Sequence, residues 1–185
     1  GLPQFAPQSA PLRLLWFGHP VNFDSLQAML PQLLPLAQQL PLELHIVTAP
    51  QMGIELACLQ FNQQYGQRFR LRFSPWSLAT TWQALQETDI VVIPTIVDNR
   101  KFVKSPNRLI ESLWAGRFVV AQPLPAYQEF AAWAWVDWDM IAGLRWALQH
   151  HEEVRQRIVE AQQYIATHFS PEVIAQQWEV VLGSS

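Results

Sequence analysis

Five short apolar segments, at 12–17, 42–48, 69–73, 90–94 and 118–121, are each separated from the next by a stretch with helical periodicity. That alternation constrains the chain more than any other feature. Strands that follow one another through helices run parallel, because each helix carries the chain back to the starting edge. The expected fold is α/β: a doubly wound, Rossmann-like parallel sheet of five to six strands, with helices on both faces. Ligands of such sheets sit outside the carboxyl ends of the strands. The loops to watch are therefore 18–23, 49–53, 74–77, 95–105 and 122–129.

The residues give each element a local reason. Leu12-Arg-Leu-Leu-Trp-Phe17 ends on Gly18-His19-Pro20. Asn22 or Asp24 can cap a helix bearing Leu26, Met29, Leu30, Leu33, Leu34 and Ala37, with Pro31 and Pro35 expected to kink or split it. Phe69-Arg-Leu-Arg-Phe73 alternates at period two, and Ser77 to Glu87 reads as a helix with Leu78, Trp82 and Leu85 on one face. Ser105 is expected to cap a helix running to Gly116, and Val136 to join a short sixth strand. Helices are expected at about 138–149, 151–168 and 171–182.

Composition excludes several classes. With 185 residues, half of them hydrophobic, the chain reads as one domain able to bury roughly 70% of its unfolded surface. Residues 1–11, rich in Pro and Gln, read as a linker or a remnant of the expressed fragment, and residues 12–185 as a single domain. No apolar run approaches the ~18 residues of a membrane-spanning helix, and the start lacks the features of a secretory leader. The lone cysteine, Cys58, permits no internal disulfide and no Cys-based zinc site, so a reducing, cytoplasmic compartment is expected. A net charge of −3 argues against nucleic acid as a partner.

The charge is unevenly placed. Arg100-Lys-Phe-Val-Lys-Ser-Pro-Asn-Arg108 holds four of the twelve basic residues, both lysines among them, and none of the fifteen acids. It follows an apolar strand and leads into a helix start, which suits an anion such as a phosphate. A solvated basic loop is the plain alternative.

Motif chemistry narrows the fold families. Only Gly18 follows the first strand, so the Gly-x-Gly-x-x-Gly of dinucleotide folds is absent, as are a Gly-x-x-x-x-Gly-Lys-Ser/Thr phosphate loop, the acids of a phospho-receiver and a Gly-x-Ser-x-Gly elbow. The segment Asp89-Ile-Val-Val-Ile-Pro94, followed by Lys104-Ser-Pro-Asn-Arg-Leu-Ile-Glu-Ser-Leu-Trp-Ala-Gly116-Arg-Phe-Val-Val-Ala121, resembles the C-terminal, donor-binding half of GT-B glycosyltransferases. The glycogen-synthase-like group, family 4 (group 1), is the nearest pattern. The resemblance is specific over about 89–121 and covers roughly 12–182 in element order.

What the resemblance implies is a site for a nucleotide sugar, UDP- or GDP-linked, and part of a hexosyltransferase. Glu111 matches the family glutamate that accepts hydrogen bonds from the ribose hydroxyls, a task for which a carboxylate suits a vicinal diol. The local alternative pairs Glu111 with Arg108 or Asn107. Backbone amides at Ser105 to Asn107 would face the diphosphate, and Gly18 would let it approach the first strand. Lys101 and Lys104 would supply charge, His19 can donate from the strand tip, and Trp76 can stack on the base. No cofactor is expected, and no His, Asp or Glu cluster has metal-ligand spacing. The implied partner is an N-terminal acceptor-binding domain outside this chain, with contact at a membrane surface left open for the full-length protein.

Two departures qualify the match. Val103 stands where the family has a second glutamate, which contacts the transferred sugar, and the first-strand loop lacks the family's Arg and Lys. The alternative is therefore a non-catalytic binding module of the same fold. Other residues read as structural: His45 within a strand, His150-His151 as a helix cap, Arg68, Arg70 and Arg72 as an exposed or acid-paired face, and Trp133, Trp135 and Trp138 as packing. Glu129 has no assigned role.

Overall fold

A computed structural model describes residues 11–96 and 105–170, together with residues 173 and 175. The strands are β1 (Leu12–Phe17), β2 (Leu42–Thr48), β3 (Phe69–Pro75), β4 (Ile90–Ile93), β5 (Phe118–Ala121) and β6 (Trp135–Val136). The helices are α1 (Phe23–Gln39), α2 (Met52–Tyr65), α3 (Leu78–Glu87), α4 (Asn107–Trp114), α5 (Met140–Gln149) and α6 (His151–His168), with 3-10 turns at Pro20–Asn22 and Pro125–Phe130. The expected helix at 171–182 lies almost wholly outside the described residues.

The sheet order is β3-β2-β1-β4-β5-β6, with every described pair parallel. The period of two along each strand divides the core. Leu12, Leu14 and Trp16, with Leu42, Leu44, Ile46, Ile90, Val92, Phe118 and Val120, face α1, α2 and α5. Leu15, Phe17, Val47, Val91, Ile93, Val119 and Ala121 face the layer that holds α3 and α4. Strands β4 and β5 are therefore buried at every residue, while the edge strand β3 alternates toward solvent. Helix α6 spans both layers, with Val154 and Ile158 in the first and Ala161 and Ile165 in the second.

Two local expectations change. α1 runs unbroken through Pro31 and Pro35. Both prolines stand on its exposed side, where water can take the carbonyls they leave without a backbone donor. Ser105 does not cap α4: the helix begins at Asn107, its N-cap residue is Pro106, and no side chain caps it. Ser105 stands one position too early for its hydroxyl to serve as the N-cap acceptor.

Several of the structural readings hold, but Trp138 does not pack as expected: it is 53% exposed. Cys58 is buried, which pushes its thiol up to about 11. His45 bonds Ser74 Oγ at 2.9 Å and Arg72 Nη2 at 2.7 Å, and Arg72 also pairs with Glu87 at 2.6 Å. Trp133 packs on Tyr164 and Trp135 on Trp146. His150 stacks on Trp146 and bonds its carbonyl at the end of α5. Glu129 accepts a hydrogen bond from the Tyr164 hydroxyl.

Candidate functional site

The strand order turns back at β1, because β2 and β3 build outward on one side and β4 to β6 on the other. Helices α3 and α4 leave this region along the same face, and a pocket of about 490 Å³ opens beside it at the carboxyl ends of the strands. Phe17 and Gly18 line it from β1, Ala49 from the end of β2 and Trp76 from the end of β3. Leu78, Thr81, Trp82 and Leu85 line it from α3, and Arg108 and Glu111 from α4.

Each wall is held by the backbone. Gly18 N donates to Val47 O at 3.1 Å, and the Thr48 hydroxyl donates to Gly18 O at 2.7 Å, so the turn after β1 is tied to β2. Trp76 N donates to Thr48 O at 2.8 Å, which extends the ladder one residue beyond β3. The Ser77 hydroxyl then caps α3 by accepting from Thr80 N at 3.0 Å. Trp76 stays 57% exposed, an aromatic face available to a ligand.

His19 caps the first 3-10 turn: its Nδ1 accepts from Val21 N at 3.2 Å. In the neutral ring the proton then belongs on Nε2, leaving a donor at the tip of β1. Glu111 is open to solvent at the pocket wall and has no ion-pair partner among the described residues, so the local pairing with Arg108 does not form. Desolvation by the surrounding wall raises its carboxyl pKa, and the nearby Arg108 charge opposes that rise.

The structure thus gathers Gly18, His19, Trp76 and Glu111 into one pocket, from four separate segments. Ser105 and Asn107 are exposed at the start of α4 and are not among its lining residues. Lys101, Lys104 and Val103 lie outside the described residues. Among the described residues no group of acids, histidines and cysteine can hold a metal ion.

Sequence reasoning missed two features. Leu78 and Trp82 were grouped with Leu85 on one helix face, yet only Leu85 is buried; Leu78 is 69% exposed and Trp82 37% exposed at the pocket. Periodicity finds an apolar face but cannot tell a core from a cleft wall. The second is Arg108, whose Nη1 donates to Phe17 O at 3.1 Å, both residues lining the pocket. It was visible as part of the basic stretch, but its reach to β1 was not.

No protein-family model matches the sequence, and no curated protein matches it. Solved structures do. TarM superposes with a TM-score of 0.64 at 14% identity, over 95% of this chain and 36% of that one. The catalytic domain of starch synthase IV from Arabidopsis thaliana, bound to ADP and acarbose, gives a TM-score of 0.57 at 13% identity, over 85% of this chain and 36% of that one. MurG of Acinetobacter baumannii gives 0.55 at 15% identity, over 87% and 49%. The chain spans less than half the length of each of these structures. These superpositions, together with the six-stranded parallel sheet flanked by helices on both faces, show that this chain has the fold of a GT-B glycosyltransferase domain.

Proposed function

We propose that this chain is the donor-binding domain of a glycosyltransferase, which moves a sugar from a nucleotide diphosphate to an acceptor. The observation that carries this reading is the pocket itself, which joins Glu111 on α4 to Gly18, His19 and Trp76 at the strand ends. Glu111 accepts hydrogen bonds from the ribose diol, and Trp76 stacks on the base. Gly18, with the backbone at Ser105 and Asn107, receives the diphosphate, and Lys101 and Lys104 add charge. These groups would stabilise the negative charge that develops on the departing diphosphate, so the domain's part in the chemistry is electrostatic and positional. The likeness to GT-B glycosyltransferases does not favour the alternative of a non-catalytic binding module that has lost donor chemistry.

The acceptor side would come from a second domain, with the sugar transferred in the cleft between the two. The neighbouring starch synthase domain was solved with ADP, and a nucleoside diphosphate is the natural first probe here. Calorimetric titration of the whole chain with UDP, GDP and ADP, each against its nucleoside, tests the reading. Saturable binding that weakens with salt is expected, because exposed charges are screened beyond about 8–10 Å at moderate ionic strength. Lys101→Ala and Lys104→Ala should weaken a diphosphate more than its nucleoside. Absence of binding by all three diphosphates would overturn the proposal, and sugar transfer by residues 1–185 alone would overturn its two-domain part.

A further inference from the structure

We propose that Arg108 is the residue that anchors the ligand's phosphates, reaching from α4 to the end of β1; this rests on the nucleotide reading above. The loop after β1, residues 18–23, contains no Lys or Arg. The pocket at that loop is nevertheless not without a cation. Arg108 is the one Lys or Arg among the described residues that line it, and none of the described ion pairs involves it.

Its position is fixed rather than incidental. Nη1 donates to Phe17 O at 3.1 Å, which ties one arm of the guanidinium to the last residue of β1. The guanidinium also sits beside the hydroxyl of Tyr127, close enough to oppose the rise that burial imposes on that phenol. Tyr127 is 1% exposed, so it is a fixed support. Gly18 completes the arrangement: a Cβ there would stand 3.0 Å from Arg108 Nη1, so a side chain at position 18 would crowd the guanidinium.

A guanidinium held by Phe17 O and the Tyr127 hydroxyl, with donors to spare, suits the paired oxygens of a diphosphate better than a flexible ammonium does. His19 Nε2–H supplies a second donor on the β1 side. The adjoining walls of Leu78, Trp82 and Leu85 are apolar, which reduces solvent screening of the charge. Glu111 lies on the same helix face as Arg108, one turn later, so one face of α4 presents a cation for the phosphates and a carboxylate for the ribose. Tyr127 is a positioning residue in this scheme.

The test titrates the whole chain with UDP, ADP, GDP, uridine and inorganic pyrophosphate, comparing wild type with Arg108→Met, Arg108→Lys, Tyr127→Phe and, as a charge control away from the pocket, Arg145→Met. Arg108→Met should weaken UDP about ten- to a hundredfold while uridine changes little, as expected for loss of a charge-assisted bond. It should also flatten the salt dependence of UDP binding. Arg108→Lys should recover part of the loss, Tyr127→Phe should lose a few-fold for UDP only, and Arg145→Met should match wild type. Equal weakening of UDP and uridine, or an unchanged ratio, overturns the role of Arg108 and leaves the nucleotide reading standing. If Arg108→Met fails to fold, Arg108→Lys decides: a UDP-to-uridine ratio identical to wild type, at unchanged salt dependence, overturns the guanidinium role. Pyrophosphate binding that Arg108→Met abolishes, with no nucleotide preferred over pyrophosphate, supports the anchor and sinks the nucleotide reading. Wild type that binds none of the five probes overturns both.

Discussion

The two edges of the sheet handle charge in opposite ways. At the amino edge, charges are consumed by the fold. Arg13 grips Asp89 through Nε at 3.1 Å and Nη2 at 2.7 Å, while Arg13 N also donates to Asp89 Oδ2 at 2.8 Å. Arg117 is buried against the last turn of α3, donating to Leu85 O and, at 3.1 Å, to Gln86 O. At the carboxyl edge, Arg108 and Glu111 share a pocket without pairing, and His19 keeps a donor facing outward. Arg108 lies in the first turn of α4 and Arg117 follows its end, yet Arg117 caps a neighbouring helix and Arg108 stands in a cleft. A charge satisfied inside the protein stabilises it; a charge held in place but unpaired is available to a ligand.

The largest test of this contrast is at the amino edge. Asp89→Ala should cost about 3 kcal/mol in urea unfolding, the low end for breaking a buried pair because the Arg13 side chain is half exposed. Nucleotide affinity of the folded fraction should stay near wild type. A large loss of affinity with unchanged stability would erase the distinction between the edges.

Glu111→Gln should do the reverse. Loss of a charge-assisted hydrogen bond is worth roughly 1.5–3 kcal/mol, so UDP binding should weaken on the order of ten- to a hundredfold while the melting temperature barely moves. A fall in melting temperature with intact binding would make the carboxylate structural. Trp76→Ala comes next. Removing one base-stacking face is worth about 1–3 kcal/mol in other proteins, and because Trp76 is more than half exposed the low end is expected, about fivefold for UDP and none for pyrophosphate.

The smallest effect concerns pH. Burial raises the Glu111 pKa, so its folded-state proton is lost later, as pH rises, than in the unfolded chain. The sign follows: the protonated form favours folding, and this contribution is lost as pH rises through the folded pKa. Under the proposed ribose role, the ionised form of Glu111 is the one that binds. Uridine, which has no phosphate to titrate, should therefore bind a few-fold more weakly as pH falls through the range where Glu111 takes up its proton. Glu111→Gln should show no such step, by fluorescence titration of the tryptophans.

Much of the fold was legible because its causes are local. Leu12–Phe17 and Phe118–Ala121 have the expected bounds, and α6 starts and stops where its sequence pattern does. Glu111 was found through a short stretch of sequence around it. The departures were local too: Pro31 and Pro35 do not split α1, on whose exposed side water can take the freed carbonyls, and a capping serine must stand at the N-cap position.

Short-range pattern sets the order of strands and helices and their parallel winding, since periodicity and turn chemistry act over a few residues, and the resemblance over 89–121 singles out Glu111 as a candidate carboxylate. Only the tertiary structure decided which charges would meet. Arg108 reaches Phe17 across 91 residues of sequence because the sheet order turns back at β1 and lays α4 over the end of that strand. The same turn makes an apolar face of α3 into a pocket wall instead of core. No short-range pattern encodes either outcome, because both depend on which strands lie side by side.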